Sequence, residues 1–163
     1  MATQTQTMRP ERLRRRARRM KAINPVMRTL LRLPVRTPLS SRLMIVTHRG
    51  RRTGRIYQQP VSYVRDGDIL LTPGGGRWTR NLHDGEPVEL RVAGRGVVAR
   101  PELVRDPDQV EQLLRRMLKA NPRLTTFVPF IDRDGTIDAG ALANALRYGF
   151  CVVRWRPDGG AWS

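Results

Sequence analysis

Residues 43–68 read LMIVTHRGRRTGRIYQQPVSYVRDGD, and this stretch decides the fold. Leu43-Met44-Ile45-Val46-Thr47 is a short apolar run with β-branched side chains, the pattern of a buried strand. The turn His48 to Arg55 follows, with Gly50 and Gly54 as its permissive points. Ile56 to Val64 reads as a second strand, and Asp66-Gly67 closes it with a strong hairpin signal. Asp68 to Thr72 then pairs back.

Outward from that stretch, Pro73-Gly74-Gly75-Gly76 breaks the chain and Arg77 to Leu82 predicts a short helical turn. Val88, Leu90 and Val92 alternate with Glu89 and Arg91 as a half-buried strand does, and Ala93 to Gly96 turns it into Val97 to Val104. Asp106-Pro107-Asp108-Gln109 is a helix start, with an Asp cap, Pro in the first position and Gln in the third. Val110, Leu113, Leu114, Met117 and Leu118 supply that helix with an apolar face. Asp138 caps another helix through Leu142, Leu146 and Tyr148, Gly149 ends it, and Phe150 to Val153 is a last strand. About six short, mostly antiparallel strands flanked by helices predict an α+β chain built on a small β-barrel, not a parallel sheet.

The N-terminal part has a different character. After the polar residues 1–8, a basic run extends from Arg9 to Lys21. Within and beyond it Leu13, Ala17, Met20, Ile23, Met27, Leu30 and Leu31 share a helical face, interrupted by Asn24-Pro25. Residues 1–38 are thus a basic tail with amphipathic helices, residues 39–158 the barrel domain, and residues 159–163 a second tail. The amphipathic face suits peripheral contact with an anionic membrane leaflet. It suits equally well packing on the barrel or on a second copy in a homodimer.

The chain carries 31 basic and 14 acidic residues, a net charge of +17, and only Lys21 and Lys119 among the basic residues are lysine. The arginine excess has two readings: biased composition, or binding of polyanions whose oxygens match guanidinium forks. Cys151 is the only cysteine and His48 and His83 are the only histidines, so an internal disulfide is excluded and a metal site is not expected. No apolar run has the length of a membrane span and no secretory signal opens the chain, so a cytoplasmic protein is expected, at most peripheral at the inner face of the cell membrane.

Two loops can carry chemistry. In the first, Gly50, Arg51, Arg52, Thr53, Gly54 and Arg55 combine flexible backbone, a hydroxyl donor and guanidinium groups, a donor set for phosphate or carboxylate. The plain reading is a solvated hairpin turn. In the second, Gly74, Gly75 and Gly76 precede Trp78 and Asn81, whose spacing shares one face of a helical turn. Consecutive glycines are costly in backbone entropy, and either close approach of a flat ligand or a simple bend explains them. No Walker loop and no serine in a nucleophile-elbow context is present. No catalytic residue stands out.

In this order, the apolar strand, the arginine turn, Pro60-Val61 ahead of Asp66-Gly67-Asp68, the glycine loop and Trp78-x-x-Asn81-Leu82 resemble the deazaflavin-dependent nitroreductase and quinone reductase family. The resemblance covers residues 43–104 well and extends more loosely to Arg156. It implies a split β-barrel binding reduced coenzyme F420, a deazaflavin, in preference to FMN. The positions matching Gly50 to Arg55 would hold its phosphate and acidic tail. Those matching Gly75, Gly76, Trp78 and Asn81 would lie against the ring. The implied partner is a small-molecule electron acceptor. Two departures bear on which one: the segment before Trp78 is shorter than in prodrug-reducing members, and the stretch Leu124 to Phe130 lacks their tyrosines. A quinone or other apolar acceptor is therefore expected ahead of a nitro compound, with nitro and enone compounds as the further candidates and Phe127 and Phe130 as pocket or core residues. Tyr57, Tyr63 and Tyr148 are the available phenols. The competing readings are a non-catalytic split barrel that binds flavin, haem or lipid, and a basic nucleic-acid-binding protein using Arg9 to Arg19. The last is disfavoured by few aromatics and no recognition motif.

Overall fold

The computed structural model describes residues 42–160 and 162. The amphipathic helices read over the basic N-terminal segment lie outside the described residues. One antiparallel sheet contains seven strands: β1 (Leu43–Arg49), β2 (Ile56–Ser62), β3 (Val64–Asp66), β4 (Ile69–Gly74), β5 (Val88–Val92), β6 (Arg95–Val104) and β7 (Cys151–Pro157). Helices α1 (Pro107–Ala120) and α2 (Ala139–Arg147) and the 3-10 turns Thr79–Asn81 and Pro122–Thr126 complete the described part.

The sheet runs in the order β2-β1-β5-β6-β7-β4-β3. Its two edge strands, β2 and β3, are consecutive in the chain with only Tyr63 between them. The two ends of the sheet must therefore meet, and the sheet curls on itself instead of lying open. Tyr63 marks the change of partner: its N–H still donates to the Arg42 carbonyl at 3.0 Å, whereas Val64 already pairs with Leu71 of β4. This break accounts for the seventh strand, because residues 56–64 were expected as a single strand. The architecture is an α+β split barrel.

Alternation along each strand sorts side chains between two cores. Met44, Val46, Leu70, Leu90, Ala99, Leu103, Val153 and Trp155 fill the barrel. Leu71, Val104 and Val152 point the other way and meet Val110, Leu113, Leu114 and Met117 of α1, the face its spacing predicts. Asp106 caps α1 by accepting from the Gln109 N–H at 3.0 Å, and Asp138 caps α2 by accepting from the Ala141 N–H at 2.9 Å. Beyond β7, the Trp162 indole packs against the barrel core and its Nε1–H donates to the Asp68 carbonyl at 2.9 Å.

Candidate functional site

On β1 the inward column Met44, Val46 continues to His48, so the alternation of one strand ends the barrel interior in an imidazole. Cross-strand register places Tyr57 opposite His48, and the two rings stack with centroids 5.6 Å apart. His48 is only 8% exposed, and burial lowers its pKa from the ordinary histidine value, favouring the neutral ring.

The two glycine-bearing loops meet here. The Arg51 N–H donates to Asn81 Oδ1 at 3.2 Å, and the Arg51 guanidinium donates to the Arg80 carbonyl at 3.0 Å. Asn81 Nδ2 lies 3.1 Å from His48 Nδ1. These contacts settle the polarity of the chain of bonds. An amide N–H can only donate, so Asn81 presents its oxygen to Arg51 and its NH2 to His48. His48 Nδ1 must then accept, which leaves the proton of the neutral ring on Nε2. Asn81 is thus both the pin between the loops and the device that sets the histidine tautomer.

Within the arginine turn the backbone amides are turned inward. The Gly50 N–H donates to the Arg55 carbonyl and the Gly54 N–H to the Gly50 carbonyl, each at 2.8 Å, and the Arg55 N–H reaches Thr53 Oγ1 at 3.4 Å. Gly50 has a steric reason of its own, since a Cβ there would lie 2.7 Å from the Tyr57 ring. Thr53 Oγ1 is 3.4 Å from the Tyr57 hydroxyl. The hydrogen bonds within the turn, with that of the Arg51 N–H to Asn81, occupy four amides of the turn, so an anion held here would draw chiefly on its side chains. Arg52 and Arg55 are exposed, and neither pairs with a carboxylate among the described residues. That donor set fits a polyanionic tail, with Arg51 acting mainly as the brace to the second loop.

The glycine loop has mixed causes. A Cβ on Gly74 would sit 2.7 Å from Thr79 Cγ2, and Gly76 has φ +80°, so both are required by the chain itself. Gly75 is different: a Cβ there would find only ordinary contacts with Phe150, at 3.6 and 3.7 Å. Trp78 is half-buried, opens the Thr79–Asn81 turn and packs against the barrel core. Phe130 is core, edge-on to Phe150 at 4.9 Å, whereas Phe127 is 55% exposed.

A cleft of about 350 Å³ opens beside His48, with Thr47, Asn81, Leu82, Glu86 and Glu89 among its walls. It adjoins the foot of the arginine turn, because Arg49 and Ile56, the last pair before that turn, also line it. The buried Cys151 thiol is pushed up by its desolvation and is no candidate nucleophile. No cluster of three metal-ligating side chains occurs among the described residues. Sequence reading missed His48 as a site residue. Continuing the inward alternation of β1 two positions past Val46 is the signal that finds it.

No protein-family model and no curated protein matches this chain. Solved structures do resemble it. HutZ, the heme storage protein from Vibrio cholerae, is 14% identical, with a TM-score of 0.50 over 72% of this chain and 82% of that one. A protein of unknown function from Agrobacterium tumefaciens is 14% identical with a TM-score of 0.52, over 83% of this chain but only 55% of the other. An F420 reductase is 16% identical with a TM-score of 0.42, over 72% and 86% of the two chains. At such identities the first two likenesses establish a shared fold. No described helix is long and apolar enough to cross a membrane.

Proposed function

We propose that this chain is an oxidoreductase that uses reduced coenzyme F420 to deliver a hydride to an apolar acceptor such as a quinone or enone. The observation that carries the reading is the pinning of the arginine turn to the Trp78–Asn81 segment through Arg51 and Asn81. It joins a turn rich in guanidinium groups to a segment that carries an aromatic ring, an arrangement that would suit a ligand with a flat head and an acidic tail. The coenzyme, when bound, supplies the hydride chemistry. Arg52 and Arg55 would hold its acidic tail, and Thr53 adds a hydroxyl. Within the glycine loop Gly75 alone has no internal necessity, so a flat ring would come closest to the backbone there. Trp78, half-buried and packed against the barrel core, would offer its ring to the flat head.

The test is a titration of the protein with reduced and oxidised F420 at low and moderate salt, with FMN, haemin and a short DNA duplex as controls. Haemin is included because both histidines line the cleft. Saturable, F420-selective binding that survives moderate salt is expected. Arg52→Ala and Arg55→Ala should each weaken it by about 1.5 kcal/mol, roughly tenfold, the range for hydrogen bonds to charged groups. Selective haemin binding would replace this reading with a haem-binding role. Duplex binding that salt abolishes would leave only the charge of the chain as its cause.

A further inference from the structure

The cleft beside His48 has a chemistry that the coenzyme contacts above leave unused. Its walls combine apolar side chains, Ile56, Leu82 and Val88, with the buried ring of His48. His48 is only 8% exposed and lines the cleft, and its Nδ1 is engaged by Asn81. Its Nε2–H has no hydrogen-bond partner among the described residues. A buried N–H left unpaired is costly, and protein interiors rarely retain one without a ligand or water to satisfy it.

The charges around the ring narrow the ligand. Glu86 and Glu89 line the cleft and form no ion pair among the described residues, while the Arg49 guanidinium donates to the Gly54 carbonyl at 3.3 Å. His83 also lines the cleft and is exposed. The unpaired carboxylates disfavour an anion. A donor N–H calls for an acceptor oxygen, and the apolar walls call for a hydrocarbon frame. At about 350 Å³ the cleft has the size of a small-molecule site.

We infer that this cleft binds an uncharged carbonyl compound of the quinone or enone type, with His48 Nε2–H as the hydrogen-bond donor to its oxygen and Asn81 as the positioning residue that holds the ring in that tautomer. The binding part of this inference stands on the cleft alone, and its role in turnover rests on the function proposed above. There the hydride comes from the reduced deazaflavin, the carbonyl compound is reduced, and the proton that completes the product comes from water. Negative charge grows on the carbonyl oxygen as hydride arrives, and a donor held in the cleft wall would stabilise that charge without reorganising. A neutral imidazole polarises the oxygen and does not itself supply the proton.

The experiment uses the full chain without coenzyme and menadione as the probe. Nitrogen-15 spectra of the histidine side chains should show His48 as the Nε2–H tautomer, with the Nε2 resonance moving on addition of menadione. Two substitutions separate the roles of the ring nitrogens. His48→Gln places an amide N–H near the Nε2 position, and His48→Asn keeps only the partner of Asn81. Menadione affinity should fall about tenfold in His48→Asn and stay within about threefold of wild type in His48→Gln, the effect of one lost hydrogen bond. A naphthoquinone sulfonate should bind more weakly than menadione because of Glu86 and Glu89. An Nδ1–H tautomer, absence of menadione binding to the wild type, or equal affinity in the two variants would each overturn the inference. Coenzyme binding is read separately, so loss of the proposed function and loss of this site give different results.

Discussion

His48 and Asn81 tie local chemistry to stability in a way that pH reveals. The unfolded chain protonates this histidine near the ordinary value of about 6.5, whereas the folded chain does so only at lower pH because burial opposes the charge. Between the two values the unfolded state holds more protons. The contribution of His48 is therefore fully present above about pH 6.5 and is lost as pH falls through that window. Thermal unfolding followed from about pH 7.5 to about pH 5 should show a larger loss of Tm in the wild type than in His48→Gln, in which the group no longer titrates. The glycine loop makes a second pair of predictions. Gly74→Ala forces a Cβ to within 2.7 Å of Thr79 Cγ2 and should cost about 1–3 kcal/mol in urea unfolding. Gly75→Ala meets only ordinary contacts, so it should leave urea unfolding nearly unchanged and weaken coenzyme binding if the ring approaches there.

Turns govern the strand pairs. The β3–β4 hairpin closes with Gly67 at φ +59°, as Asp66-Gly67 implies from sequence. The β5–β6 hairpin closes on Ala93-Gly94, with φ +48° and +81°, and Ala93 is the only described residue other than glycine with positive φ. Two consecutive left-handed residues make a turn that prefers Asn-Gly, and an alanine there is strained by its Cβ. Ala93→Asn should stabilise the protein by about 0.5 kcal/mol, seen as a rise of roughly 1–2 °C in Tm. The helix starts at Asp106 and Asp138 were legible because a cap acts on N–H groups within three residues of itself. The break at Tyr63 was not. Residues 56–62 pair back with β1 while residues 64–66 pair forward with β4, and no local pattern marks Tyr63 as the point where one partner gives way to the other.

Closure of the barrel concentrates stability where distant strands share one interior. Trp155 on β7 is fully buried and its Nε1–H donates to Thr72 Oγ1 of β4 at 3.0 Å. Trp155→Phe removes volume from the barrel core and leaves the buried Thr72 hydroxyl without its donor. A loss of about 3 kcal/mol is expected, a drop of roughly 10 °C in Tm by calorimetry. The same closure forms the site. The β1–β2 turn and the segment after β4 lie about 30 residues apart in sequence, and the curled sheet brings Arg51 to Arg80 and Asn81.

The α+β class, all the strands but the β2–β3 division, the helix caps and the two loops of the candidate site were legible in the amino-acid sequence. Those features depend on alternation, turn chemistry and capping, which act over a few residues. Tertiary structure decided how the loops are used. It engaged the Gly50, Gly54 and Arg55 amides within the arginine turn, made Arg51 a brace and gave Gly74 a packing role. It also placed His48 at the end of the barrel interior, with its Nδ1 against the Asn81 amide. The roles of Arg51 and His48 depend on Arg80 and Asn81, about 30 residues away in the chain, and no local pattern encodes the direction from which such a partner arrives.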